Sequence, residues 1–140
     1  MDKTDENSFA FQQHSVRYAQ MAGKIDRTMR IENPDGYGKR TGVCGDTIEM
    51  FLTIDCGVIR KVFFVADGCV NTRACANTVA SLAEGKTIED AWELTPQDVV
   101  DFLETLPSKE AHCAELAVGA FYLALSYAQQ TDQRSMDSRR

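Results

Sequence analysis

The chain has 140 residues and a formal net charge of −6, from 15 basic and 21 acidic residues. This length suits one domain with an ordinary hydrophobic core that needs no disulfide staples. The negative balance repels phosphate backbones and so argues against nucleic acid as a partner. No run is long enough to span a membrane, and the opening MDKTDENSFAFQQ lacks the apolar centre of a signal peptide. We therefore expect no membrane association and a cytoplasmic location.

The first part of the chain carries weak structural signals. We expect residues 1–30 to be loosely ordered or helical, with a short helix in HSVRYAQMAGKI (14–25) that Gly23 weakens at its end. Residues 32–45, ENPDGYGKRTGVCG, are rich in turn-forming residues. They predict a loop or a short edge strand.

A β-hairpin is predicted next. In TIEMFLTI (47–54) the apolar residues alternate, which places Ile48, Met50, Leu52 and Ile54 on one face. A second β-rich run, VIRKVFFVA, covers residues 58–66, and the residues DCG between the two runs suit a turn. Together they predict an antiparallel hairpin.

The second half of the chain has helical signals. After Cys69 the apolar period becomes helical and continues until Gly85. Residues 87–90 resemble a helix start, and residues 95–98, Thr-Pro-Gln-Asp, form a strong one. Ser108 is expected to cap a last, apolar helix that ends at about Gln129.

These elements predict an α+β fold. A small antiparallel sheet of about three strands is expected to pack against a layer of four to five helices. We assign residues 31–129 to this domain and residues 130–140, which are polar, to a disordered tail. No internal repeat or second domain is evident.

Five cysteines make up the most informative feature of the sequence: Cys44, Cys56, Cys69, Cys75 and Cys113. Their odd number and wide spacing argue against a disulfide framework, and the absence of a C-x-x-C pair argues against a thioredoxin-like motif or a zinc ribbon. Cys75 falls on the apolar face of its helix and is expected in the core. Cys56 lies in the predicted turn, where nothing marks it for chemistry.

The other three cysteines share a local setting. Cys44 lies in a glycine-rich loop before a strand, Cys69 lies between a strand and a helix, and Cys113 lies near the start of the last helix. Helix N-termini favour thiolate, the form that binds metal. Asp46 is two residues from Cys44, and His112 is adjacent to Cys113. The set predicts one shared metal site at the rim of the fold.

Four segments resemble the NifU/IscU-type iron–sulfur cluster assembly scaffolds. They are TGVCGDTIEMFLTID, VIRKVFFVADGC, EGKTIEDAWELTPQDVVDFLETLP and HCAELAVGAFYLAL, within a resemblance that runs from about Gly38 to Gln129. The resemblance implies a protein that is not an enzyme. Such a scaffold receives persulfide sulfur from a cysteine desulfurase, gathers iron, builds a transient [2Fe–2S] cluster and passes it to recipient apo-iron–sulfur proteins.

The resemblance also implies a role for each residue of the site. Cys44, Cys69 and Cys113 would be thiolate ligands, and Cys113 would accept the persulfide. Asp46 would adjoin the cluster, and His112 would be a ligand or a near neighbour. Because a carboxylate matches iron and sulfide less well than a thiolate does, we hypothesise that Asp46 keeps the cluster labile. The same donors suit Zn²⁺, so the isolated protein can carry zinc.

The segment before His112 departs from the family pattern. Leu106-Pro107-Ser108 has one proline where the family usually has two, and Glu110 stands where a lysine is usual. Release of the cluster with the help of an Hsp70-type chaperone is therefore doubtful. A cluster that bridges two copies of the chain is compatible with the sequence, which leaves a homodimer open.

Two other functions are weighed against the scaffold. One is a zinc-binding sulfur acceptor that stimulates a cysteine desulfurase without building a cluster. The other is a thiol enzyme that uses Cys113 as nucleophile and His112 as base. The sequence shows no third residue that would orient the imidazole, so this last function is the weakest of the three.

Overall fold

The computed structural model describes residues 14–138, with side chains described through Thr131. Residues 1–13, part of the segment expected to be loosely ordered or helical, lie outside the described residues. The first helix, α1 (Val16–Gly23), begins where the Ser15 hydroxyl accepts a hydrogen bond from the Tyr18 N–H at 3.0 Å. It ends at Gly23, as the sequence predicts.

Three antiparallel strands follow: β1 (Gly36–Thr41), β2 (Thr47–Asp55) and β3 (Val58–Asp67), in the spatial order β1-β2-β3. The predicted hairpin of β2 and β3 is confirmed. Its turn is Cys56-Gly57, and both residues have positive φ, which suits the tight connection of two twisted strands. The turn-rich segment holds an edge strand, one of the two structures predicted for it.

The remaining elements are helices: α2 (Val70–Ala83), α3 (Ile88–Ala91), α4 (Pro96–Leu103) and α5 (Ala111–Ser138), with a 3₁₀ turn (Ser108–Glu110) before α5. The predicted strong start at residues 95–98 is a full capping box. The Thr95 hydroxyl accepts from the Asp98 N–H, and the Asp98 carboxylate accepts from the Thr95 N–H.

The last helix differs from the prediction at both ends. The chain enters it through the 3₁₀ turn after Pro107, and no side chain caps that turn, so the expectation that Ser108 caps the helix is wrong. The helix continues to Ser138 instead of ending at about Gln129, because residues 120–138 contain neither glycine nor proline to stop it. The disorder expected of residues 130–140 stays a prediction.

Helices α2 and α5 pack on the sheet and on each other, which confirms the α+β architecture. Ile48, Met50 and Leu52 of β2 are fully buried in this interface. Helix α5 lies very close to β1: a Cβ on Gly38 would overlap the Ala120 carbonyl oxygen. Within residues 14–138, none of the helices has the length and apolar character that a membrane span requires. The packing brings the N-terminal ends of α2 and α5 together at one rim of the domain.

Candidate metal centre

Cys69 lies at the N-terminal end of α2, between β3 and the helix. Its backbone is extended, and its carbonyl oxygen accepts the first helical hydrogen bond from the Arg73 N–H at 3.2 Å. The residue is exposed, so its sulfur is available to a ligand at a helix N-terminus, where negative charge is stabilised.

Asp46 reaches the same place from the loop between β1 and β2. This loop is closed by hydrogen bonds from Gly42 N–H to the Asp46 carbonyl (2.8 Å) and from Gly45 N–H to the Gly42 carbonyl (3.0 Å). The Asp46 carboxylate rests against Gly68, where a Cβ would lie 2.6 Å from the Asp46 Cγ and Oδ2 atoms. Only glycine at position 68 leaves room for the carboxylate beside Cys69.

Asp46, Cys69 and Cys113 form a first set of donors, which we call the Asp46 group. One ligand atom from each residue lies within 4.8 Å of the other two. The hydroxyl of Thr72, a fully buried residue, joins them: it donates to Asp46 Oδ2 at 2.6 Å and lies 3.6 Å from both sulfurs. Thr72 thus stands between the two thiols and the carboxylate.

Glu110, His112 and Cys113 form a second set, which we call the Glu110 group. Their ligand atoms also lie within 4.8 Å of one another. The Cys113 thiol donates to Glu110 Oε2 at 3.7 Å, and the same oxygen lies 3.5 Å from His112 Nε2. Cys113 is fully buried, whereas the Glu110 and His112 side chains are 25% and 31% exposed. The Cys113 sulfur therefore belongs to both groups.

Cys44 stands apart from these two groups. It is exposed, in the loop between β1 and β2, and belongs to neither three-donor set. Of the five residues predicted for the site, the structure thus gathers Asp46, Cys69 and Cys113, places His112 beside Cys113, and leaves Cys44 on the adjoining loop. The assignment of Cys44 as a ligand stays a prediction.

The two sulfurs of the Asp46 group differ in acidity. Burial raises the pKa of Cys113 to about 12; the Thr72 hydroxyl opposes this, while the nearby Cys69, Glu110 and Cys44 add to it. Burial acts in the same direction on Cys69, but hydrogen bonding by the Thr72 hydroxyl and N–H and by the Asn71 N–H outweighs it, so the pKa of Cys69 is lowered. Cys69 is therefore the readier thiolate, and a metal at Cys113 has to displace a proton.

All five cysteines are free thiols. Cys75 is fully buried in the core, and burial raises its pKa; Cys56 is exposed in the hairpin turn. Both positions agree with the prediction that these two thiols lie outside the site.

Thr72 and Glu110 were missed as site residues. Each lies three positions along the chain from a predicted ligand, Thr72 after Cys69 and Glu110 before Cys113, and this spacing places side chains on one face of a helical turn. Glu110 also supplies the partner for His112 that the sequence did not show. However, its carboxylate contacts both the imidazole and the thiol, so the imidazole does not lie between acid and nucleophile as a catalytic triad requires.

Comparison with known proteins identifies a family and several relatives. Residues 20–134 match the family described as NifU-like N terminal domain. The iron–sulfur cluster assembly scaffold protein IscU 1 of Archaeoglobus fulgidus is 33% identical over 97 residues, covering 69% of this chain and 63% of that protein. The iron–sulfur cluster assembly protein IscU of Plasmodium falciparum is 35% identical over 103 residues, covering 74% and 62%. The chain thus spans somewhat less than two thirds of the length of these relatives.

A solved structure shares the fold. The crystal structure of a nitrogen-fixing NifU-like protein (N-terminal) from Brucella abortus matches with a TM-score of 0.65 and covers 83% of this chain and 94% of that one. The sequence identity is 18%, so this likeness concerns the fold alone. It agrees with the α+β arrangement described above.

Proposed function

This chain belongs to the NifU-like N-terminal domain family, and we propose that it is a scaffold on which [2Fe–2S] clusters are assembled and from which they pass to recipient apo-proteins. One observation carries the proposal. The sulfurs of Cys69 and Cys113, 44 residues apart in sequence, meet the Asp46 carboxylate within 4.8 Å at the rim of the domain. Thiolates are the usual ligands of iron–sulfur clusters.

In this proposal the cluster is cargo, held by Cys44, Cys69 and Cys113, with Asp46 and His112 completing the set. Cys44 is exposed on its loop, next to a valine that is 97% exposed, so it can reach the cargo by a local movement. Oxygen and nitrogen donors match iron–sulfur clusters less well than thiolates do. A site with such donors releases its cargo more readily than one with four cysteines.

Cys113 is the proposed acceptor of persulfide sulfur. Its thiolate attacks the outer sulfur of a desulfurase persulfide; an S–S bond to Cys113 forms, the original S–S bond breaks, and the desulfurase thiolate leaves with the electron pair. Burial raises the pKa of Cys113 to about 12, so its proton must first be removed. The Glu110 carboxylate, 3.7 Å from the sulfur, is the acceptor placed to take it. Since Cys113 is fully buried, the segment Ser108–Glu110 or the loop of Cys44 must move to admit the donor.

The proposed partners are a cysteine desulfurase and recipient apo-iron–sulfur proteins. The scaffold itself catalyses no reaction. A net charge of −6 disfavours nucleic acid, and five free thiols suit a reducing compartment such as the cytoplasm. A single proline before the 3₁₀ turn and an acid at position 110 still disfavour an Hsp70-type chaperone.

The proposal is tested by anaerobic reconstitution of the full chain with Fe²⁺, cysteine, a thiol reductant and a pyridoxal-phosphate cysteine desulfurase. We expect visible cluster absorbance with equal iron and acid-labile sulfide, and transfer of the cluster to an apo-ferredoxin. Cys69→Ser should abolish the absorbance, whereas Cys56→Ser, which alters an exposed thiol in the hairpin turn, should leave it unchanged. Tight zinc binding and faster desulfurase turnover without any cluster would instead establish the zinc-binding sulfur acceptor.

A further inference from the structure

We propose that Glu110, His112 and Cys113 bind one divalent first-row cation, with the Glu110 carboxylate as a direct ligand. Such a site shares His112 and Cys113 with the set that holds the cluster and adds the Glu110 carboxylate, which that set lacks. Its three donors lie within four consecutive residues, so its geometry depends on the junction of the 3₁₀ turn with α5 and on little else.

The two distances from the Glu110 carboxylate to the other donors of the Glu110 group match those of donors on one tetrahedral ion. With metal–oxygen, metal–nitrogen and metal–sulfur bonds of roughly 2.1, 2.05 and 2.3 Å, tetrahedral angles separate oxygen and nitrogen by about 3.4 Å and oxygen and sulfur by about 3.6 Å. The structure has 3.5 Å from Glu110 Oε2 to His112 Nε2 and 3.7 Å from Glu110 Oε2 to Cys113 Sγ. A cation can therefore bind with only small side-chain adjustments.

The local backbone holds these donors in place. Within the 3₁₀ turn the Glu110 N–H donates to the Pro107 carbonyl at 2.8 Å, and Ala111 continues directly into α5. Glu110 and Cys113, three residues apart, therefore lie on one face of the turn. Positions so fixed reduce the entropy that a ligand set loses on binding.

The Glu110 carboxylate is also more available to a cation than that of Asp46. Asp46 Oδ2 already accepts a hydrogen bond of 2.6 Å from Thr72 and rests against Gly68. Among the side chains of residues 14–131, His112 is the only basic group within 4.0 Å of the Glu110 carboxylate. A cation would neutralise Glu110 and replace the proton that Cys113 donates to it.

This last step rests on the proposed scaffold function. In that function, the Glu110 group is the site where iron binds first. Fe²⁺ held by one oxygen, one nitrogen and one sulfur leaves Cys69 and Asp46 unoccupied. Once an external two-electron reductant, such as a thiol or a reduced ferredoxin, has converted the persulfide sulfur on Cys113 to sulfide and released the Cys113 thiolate, the iron exchanges these harder donors for sulfur. The Glu110 group would thus load iron, and the cysteines would hold the finished cluster.

The test is titration of the metal-free full chain with Co²⁺ in the absence of desulfurase and sulfide, monitored by the visible d–d bands. Glu110→Gln keeps the shape of the side chain and removes its charge. We expect it to weaken Co²⁺ binding by about 10-fold or more, at least the loss seen when an outer-shell partner is removed. Glu115→Gln, the same change at an exposed position on α5, should bind Co²⁺ like the wild type.

A second variant separates coordination from charge. Glu110→Asp keeps the charge but shortens the side chain, so a ligand role predicts weaker binding and altered d–d bands. Wild-type affinity in Glu110→Gln, or wild-type affinity and bands in Glu110→Asp, would overturn the proposal; circular dichroism checks that each variant is folded. The titration contains neither sulfide nor desulfurase. Loss of the Glu110 effect on Co²⁺ binding would therefore overturn this proposal without touching cluster assembly, and failed cluster assembly would overturn the scaffold function without touching Co²⁺ binding.

Discussion

The Asp46 group and the Glu110 group share the Cys113 sulfur, yet the chain builds them in different ways. The Asp46 group takes its donors from a loop, from the start of α2 and from the start of α5, and holds them with Thr72 and Gly68. The Glu110 group takes all its donors from residues 110–113. The first group therefore depends on the whole fold, whereas the second depends on one turn.

The donor chemistry of the two groups also differs. Two sulfurs and one oxygen suit iron bound to sulfide, whereas one sulfur, one nitrogen and one oxygen suit a single divalent cation. In the proposed mechanism Cys113, common to both, would let a metal move from one donor set to the other without leaving the protein. Iron uptake and cluster assembly would then be separated by donor type within a few ångströms.

The largest effect is expected from removing the shared sulfur. Cys113→Ser disables both groups at once, so Co²⁺ affinity should fall by more than the roughly 10- to 100-fold seen when an outer-shell partner is lost, and no cluster should form on reconstitution. Cys56→Ser is the matched control. Retained cluster formation in Cys113→Ser would show that the two groups do not depend on a common ligand.

Substitution of Asp46 is expected to have an intermediate effect, confined to the Asp46 group. Asp46→Ala removes the weaker oxygen donor and, if Asp46 keeps the cluster labile, should lengthen the lifetime of the reconstituted visible absorbance several times. Co²⁺ binding at the Glu110 group should change little. An unchanged or faster decay would refute the role given to Asp46.

The smallest effect concerns the hydroxyl between the sulfurs. In Thr72→Val the Cys69 sulfur loses the hydroxyl 3.6 Å away, one of the groups that lower its pKa, so the pKa should rise and less thiolate should be present at neutral pH. We expect slower alkylation of Cys69 by iodoacetamide, followed by peptide mass spectrometry, with Thr72→Ser restoring the rate.

A matched control for this substitution lies on the same helix. Thr78 is also fully buried, and its hydroxyl donates to the Ala74 carbonyl at 2.8 Å, so Thr78→Val should leave Cys69 unaffected. Cys69 reacting at the wild-type rate in Thr72→Val would mean that the hydroxyl does not tune this thiol.

Much of the fold could be predicted from local patterns. The alternation of apolar residues predicted the β2–β3 hairpin, and Thr95 and Asp98 predicted the start of α4. The edge strand β1 was less clear because its glycines resemble turn signals. The structure shows a different reason for them: α5 lies so close that a Cβ at Gly38 would overlap the Ala120 carbonyl oxygen. Such a requirement comes from tertiary packing and leaves no local signal.

The candidate site could likewise be predicted only where its residues carry a local signal in the sequence. Asp46, Cys69 and Cys113 could be predicted as one group because their residue types suit metal and each flanks a strand or helix end. Glu110 lies near enough in sequence that its spacing from Cys113 could have revealed it. Thr72 could not be found in this way, because its hydroxyl matters only once the loop of Asp46 has reached α2.

The most direct test of the account is iron-edge X-ray absorption on the full chain loaded anaerobically with one equivalent of Fe²⁺, before and after a second equivalent of Fe²⁺, desulfurase, cysteine and a thiol reductant are added. We predict a first shell of oxygen and nitrogen with a single sulfur before sulfide arrives, and a shell of mainly sulfur, with a short iron–iron distance, afterwards. Two or more sulfur ligands in the sulfide-free sample would contradict the division of labour between the Glu110 group and the Asp46 group.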